Sequence, residues 1–160
     1  MKTHTYKTQV QWTPHDGQGT TSYRSYRRDH AISVEGKVEI PASSDPTFRG
    51  DATRYNPEEL LVASLSSCHM LWYLHLCATN GVTVLDYADN ATGTMEENPD
   101  GSGQFARVDL RPNVTIAPGS DRDRALALND KAHHLCFIAR SVNFPVEVEA
   151  EITYSPKSIG

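Results

Sequence analysis

Three cysteines, Cys68, Cys77 and Cys136, are the residues with the most chemistry to offer. An odd number, with no Cys-x-x-Cys pair, does not describe a disulfide-stapled secreted domain. Reduced thiols in a cytoplasmic protein are the expectation, and a thiol reacts only as its thiolate. With a pKa near ~8.5, little of a free thiol is ionised at neutral pH. Cys68 falls about 11 residues into a helical pattern, roughly 16 Å from the positive helix end, so the dipole does not help it. A drop of about two pKa units takes roughly 2.7 kcal/mol of differential stabilisation. A guanidinium can supply that, and Arg49 and Arg54 lie in the loop before the helix. On sequence alone, each reads first as a solvated surface side chain. Cys77, near the negative helix end, is expected to be an inert core thiol.

Glu58 and Glu59 suit the first turn of the same helix. Glu58 precedes Cys68 by ten residues, about 15 Å along the axis, and so cannot touch the Cys68 of its own chain. It approaches the Cys68 of another subunit if two such helices pack antiparallel. Cys68, His69, His75, Cys77, His133, His134 and Cys136 are potential metal ligands. Cys68 and His75 share a helical face, but His133 with Cys136 is a single pair without a partner motif, so a metal site is the weaker reading. Ser64, Ser66 and Ser67 lack a Gly-x-Ser-x-Gly elbow, which argues against a serine hydrolase.

The elements that must position these residues follow from periodicity. Thr5 to Thr13 reads as a strand with Tyr6, Val10 and Trp12 on one face. Pro14 to Gly19 reads as a turn, and Thr20 to Arg27 and Ala31 to Ile40 as further strands, the latter broken at Glu35-Gly36-Lys37. Pro41 to Tyr55 is an irregular loop. Asn56, Pro57 and Glu59 open a long helix with the residue types of a capping box, and Asn80-Gly81 closes it. Its stripe is Leu61, Leu65, Cys68, Trp72, His75 and Leu76. Val82 to Glu97 and Gln104 to Ile116 read as two strands joined by a hairpin at residues 98–103. Ser120 caps a second helix running to about Cys136, with Leu128, Ala132 and Leu135 on one face. Val146 to Tyr154 alternates, its apolar residues inward and Glu147, Glu149 and Glu151 outward. Strands, helix, hairpin, helix and strand in that order make an α+β fold.

The chain has 160 residues, enough for one domain spanning residues 1–160, and 38% of them are hydrophobic. A net charge of −5 argues against nucleic acid as a partner. The first residues carry no apolar run, so no secretory signal is expected. Leu60 to Ala78 is 19 residues without a charge, close to a membrane span. Its serines and histidines favour a helix buried in protein over one in lipid. A chain this short has little to wrap such a helix, and a second subunit is the natural cover.

The run Asn56-Pro57-Glu58-Glu59-Leu60-Leu61, Cys68 ten residues after Glu58, and Ala132-His133-His134-Leu135-Cys136 together resemble the osmotically induced protein C / organic hydroperoxide resistance (OsmC/Ohr) family. The element order fits too. The resemblance implies antiparallel sheets with a long buried central helix in an intertwined homodimer. It also implies reduction of organic hydroperoxides by cysteine chemistry, with no metal, haem or flavin. Cys68 then matches the peroxidatic cysteine, Cys136 the resolving cysteine, and Glu58 the glutamate that holds a catalytic arginine. One branch of the family places that arginine at Arg49, with Arg54 in reserve; another places it near Arg24, Arg27 and Arg28. The implied reductant is a lipoamide-like dithiol. His69 and Phe137 depart from the family's common phenylalanine and proline after the two cysteines, as in a divergent branch. A non-catalytic small-molecule or lipid-binding module, or a thiol redox sensor, is the alternative on the same fold.

Overall fold

The computed structural model describes residues 1–13 and 17–156. The expected turn at Pro14 to Asp16 lies outside the described residues. The chain divides into two compact units, residues 1–60 and 61–160.

The first unit holds a three-stranded antiparallel sheet of β1 (Gln9–Trp12), β2 (His30–Ser33) and β3 (Ile40–Ala42). Every residue of β1 is exposed, so Val10 and Trp12 are open to solvent within this unit. Thr20 to Arg27 is not a strand. Its backbone turns back on itself, with Ser25 Oγ donating to the carbonyls of Gly19 and Ser22. Ser, Tyr and Arg alternate here without an apolar face to bury, so turn chemistry wins. A short 3-10 turn at Pro46–Phe48 sits in the loop after β3.

Helix α1 (Pro57–Thr79) begins with the expected capping box. The Glu59 amide donates to Asn56 Oδ1 at 2.9 Å, and the Asn56 amide donates to Glu59 Oε1 at 3.0 Å. At the far end the Val82 amide reaches the Cys77 carbonyl at 3.0 Å, with Gly81 left-handed at φ 73°, a Schellman-type stop.

The second unit contains two mixed sheets, β4 (Val84–Asp89), β7 (Pro112–Ile116) and β9 (Glu151–Tyr154), and β5 (Thr92–Glu97), β6 (Gly103–Leu110) and β8 (Val146–Val148). The pairs β6–β8 and β7–β9 are parallel, a correction to the expectation of purely antiparallel sheets. Each of the three long extended segments serves both sheets. They break at residues 90–91, at Arg111 and at residues 149–150. Asp89 caps the break: its Oδ1 accepts from the Arg111 amide at 2.7 Å, while its Oδ2 accepts from the Ser66 hydroxyl on α1 at 2.5 Å.

Helix α2 (Arg122–Leu135) is capped by Asp121, whose carboxylate accepts from the Arg124 amide at 3.1 Å. The expected cap, Ser120, instead accepts from the Thr83 amide. Tyr154, expected inward, is exposed and donates to the Ser120 carbonyl at 2.9 Å.

The two halves of α1 serve two cores. Leu61, Val62 and Leu65 pack with Phe105, Val108, Leu110 and Val146. Tyr73, Leu76 and Cys77 pack with Val114, Ile116 and Ile152 and with Ala125, Leu128 and Ala132 of α2. Gly93 makes the first contact possible, since a Cβ there would lie 2.5 Å from Val62 Cγ2 and 2.6 Å from Phe105 Cε1. The buried face of α1 is Leu65, His69, Tyr73, Leu76 and Cys77; of the expected stripe, Leu65 and Leu76 are buried, Leu61, Cys68 and Trp72 are half-buried, and His75 is exposed. Spacing alone leaves the facing direction of an almost uncharged helix undetermined. By length and composition α1 could also cross a membrane, at a mean hydropathy of 1.4.

Candidate active site

Cys68 and Cys136 come from different helices and lie near one another. Cys68 is half-buried in the middle of α1, and Cys136 is buried as the C-cap of α2; both are free thiols. They lie near enough for Cys68 to help raise the Cys136 thiol. Three contacts fix Cys136 in place. Its amide donates to the His133 carbonyl at 3.3 Å, its carbonyl accepts from the Arg140 amide at 3.1 Å, and its Sγ accepts from the Ala139 amide at 3.5 Å. The turn at Ala139–Ser141 thus folds the chain back over the sulfur.

Burial pushes the Cys136 thiol up to about 11, against the Ala139 amide and with Cys68 adding to the rise. At neutral pH Cys136 therefore keeps its proton. Cys77 is also buried, and burial raises its thiol as well. It contacts Tyr73 in the core, as expected of an inert thiol.

Next to Cys68, His69 points into the core at 1% exposure. Its Nε2 lies 3.1 Å from Asn129 Oδ1 on α2. Asn129 Nδ2 donates to the carbonyls of Ala125 and Leu126, which leaves Oδ1 to accept and assigns the His69 proton to Nε2. Burial holds His69 below the ordinary histidine range and keeps it neutral. The role of His69 is not evident from its place after Cys68. Its spacing of four from both Leu65 and Tyr73 was the available signal for a core position.

An aromatic patch flanks the two thiols. Trp72 meets Phe137 edge-on at 5.4 Å and His75 at 5.9 Å. Leu71 and Phe137 are 60% and 66% exposed. Leu71, Trp72 and His75 line an open apolar pocket of about 240 Å3.

In the first unit, Arg49 has a left-handed backbone at φ 64° and is exposed. Arg54 is engaged with Asp29 at 3.6 Å and Asp51 at 4.0 Å. Glu58 is half-buried in the first turn of α1 and makes no ion pair among the described residues. No group of three or more His, Cys, Asp or Glu side chains forms a metal site among the described residues.

Fold and thiols together define the class: an α+β protein whose two helices bring a pair of free cysteines near one another. The OsmC-like protein family model matches residues 50–151, and the chain belongs to that family. It is 32% identical to an OsmC-like protein of unknown function from Vibrio cholerae, with a TM-score of 0.85, covering 93% of this chain and all of that one. An organic hydroperoxide resistance protein from Elizabethkingia anophelis is 20% identical, with a TM-score of 0.66 over 97% of this chain and all of that one. An organic hydroperoxide resistance protein OsmC from Legionella pneumophila is 18% identical, with a TM-score of 0.65 over 94% of this chain and 99% of that one. These two likenesses concern the fold. Comparison with curated proteins gives no match.

Proposed function

We propose that the protein is a thiol-dependent peroxidase that reduces organic hydroperoxides to alcohols. The observation that carries this reading is the nearness of Cys68 on α1 to the Cys136 thiol at the end of α2. Cys68 thiolate attacks the distal peroxide oxygen. The O–O bond breaks, an alcohol leaves with a proton, and Cys68 becomes a sulfenic acid. The Cys136 sulfur then displaces hydroxide from that sulfenic acid, and the pair becomes a disulfide with loss of water. A dithiol of the lipoamide type reopens it by exchange and is itself oxidised to its disulfide. Cys136, protonated at neutral pH, gives up its proton to the departing water and does not compete as the first nucleophile. The cycle calls on no cofactor.

Arg49 is the favoured group for lowering the Cys68 pKa and for stabilising charge on the leaving oxygen, with Glu58 positioning it. Arg24, Arg27, Arg28 and Arg54 are the alternatives, and Arg54 is the one already paired with two carboxylates. The family resemblance supports these roles. It also supports a homodimer, one domain made from both units, and a cytoplasmic location. Leu71 and Phe137, exposed beside the thiols, suit both a covering subunit and an apolar hydroperoxide.

Peptide mapping under non-reducing conditions after one equivalent of cumene hydroperoxide tests the reading. A Cys68–Cys136 crosslink with loss of two hydrogens is expected. Intact thiols with unconsumed peroxide would overturn it. The open pocket at Leu71, Trp72 and His75 favours a second reading, an apolar-ligand-binding module on the same fold; ligand binding without turnover is its signature.

A further inference from the structure

A cavity of about 360 Å3 opens within the first unit, where residues 24–29 face residues 49–51. Arg24, Arg27, Arg28 and Arg49 line it, together with Asp29 and Asp51. Both carboxylates are already engaged. Arg54 Nε lies 3.6 Å from Asp29 and 4.0 Å from Asp51, and Asp51 also accepts from the Thr53 amide and hydroxyl at 2.8 and 2.7 Å.

One of the four arginines is spent on the scaffold. Arg28 donates to the Tyr23 carbonyl at 2.7 Å and the Tyr26 carbonyl at 2.5 Å, and its guanidinium lies 3.7 Å over the Tyr26 ring. Arg49 is held from behind. Its amide donates to the Pro46 carbonyl at 3.0 Å, and Gly50 packs so tightly that a Cβ there would lie 1.5 Å from the Ser44 carbonyl oxygen. Its guanidinium lies 5.9 Å from the Tyr23 ring. Arg24, Arg27 and Arg49 make no ion pair among the described residues.

Arg24, Arg27 and Arg49 around one cavity outnumber its two carboxylates, which Arg54 already engages and of which Asp51 also feels Arg27. Like charges so close repel each other. Guanidinium groups match oxyanions as bidentate donors, and a bound anion relieves the repulsion. We propose that this cavity is a binding site for a small oxyanion, a carboxylate or a phosphate group, held by Arg24, Arg27 and Arg49. Its volume, near the lower end of about 300–1,000 Å3 for ligand pockets, suits a small molecule. The proposal goes beyond the thiol reading, because the anion is held whether or not Cys68 turns over.

Isothermal titration calorimetry on the reduced full chain tests it. Inorganic phosphate and succinate are titrated separately at fixed ionic strength, with chloride as the control anion. Saturable binding of at least one oxyanion is expected. Arg24→Gln and Arg27→Gln should each weaken it by about tenfold, while Lys37→Gln leaves it unchanged. Phosphate binding alone assigns a phosphate group, and succinate binding alone a carboxylate. Both single substitutions alter exposed side chains, and circular dichroism checks that each variant is folded. Absence of saturable heat with either anion, or affinity unaltered in both arginine variants, would overturn the proposal.

Discussion

His69 on α1 and Asn129 on α2 are joined by a 3.1 Å hydrogen bond inside the core, 60 residues apart in sequence. Asn129 in turn is anchored to the carbonyls of its own helix, so the pair fixes the rotation of α1 against α2. The same packing of α1 against α2 brings Cys68 near Cys136. Removing the acceptor leaves a buried N–H unsatisfied, and Asn129→Ala should cost about 1–3 kcal/mol. Urea denaturation reads this directly, and an unchanged midpoint would show that the pair does not hold the helices.

The same histidine gives a pH dependence. Burial holds its folded pKa below the ordinary value of 6.5. In the unfolded chain it binds a proton more readily, so acid favours unfolding. The contribution is complete above about 6.5 and is lost as pH falls through the lower folded value. Urea midpoints on either side of that window should therefore fall with acid in the wild type and fall less in His69→Phe. Equal slopes in the two proteins would remove His69 as the cause.

The two thiols should differ in reactivity. Cys136 is buried with its thiol pushed up to about 11, whereas Cys68 is half-buried. Iodoacetamide at neutral pH should label Cys68 before Cys136, as read by mass spectrometry at intervals. After one equivalent of cumene hydroperoxide, Cys136→Ser should hold Cys68 as a sulfenic acid that dimedone captures, and Cys68→Ser should give no adduct. An adduct on Cys136 in Cys68→Ser would reverse the assigned order.

Gly93 marks the closest approach of α1 to its sheet. A Cβ meets Val62 and Phe105 at 2.5 and 2.6 Å, inside any real contact distance. Gly93→Ala should destabilise by about 1–3 kcal/mol through overpacking. A Val62→Ala background should recover part of that loss, a non-additivity that a double-mutant cycle measures.

Local chemistry made much of the fold legible in the sequence. Asn56, Pro57, Glu59 and Gly81 bound α1 because caps are short-range hydrogen-bonding devices, and residues 98–102 form the hairpin turn because that composition leaves little else. Cys68 and Cys136 stand out as reactive candidates by the family resemblance of the motifs around them, not by their helical positions. Three features depended on contacts distant in sequence. The alternation through Val146 to Tyr154 reads as one strand, yet Val146 pairs with Val108 in one sheet and Tyr154 with Ile116 in the other. Period-two patterning reports which side is buried and not which neighbour buries it. The face of α1 was open for the same reason, until His69 found Asn129. The sequence placed the cysteines on their helices; only packing could turn those helices so that the two thiols come near one another.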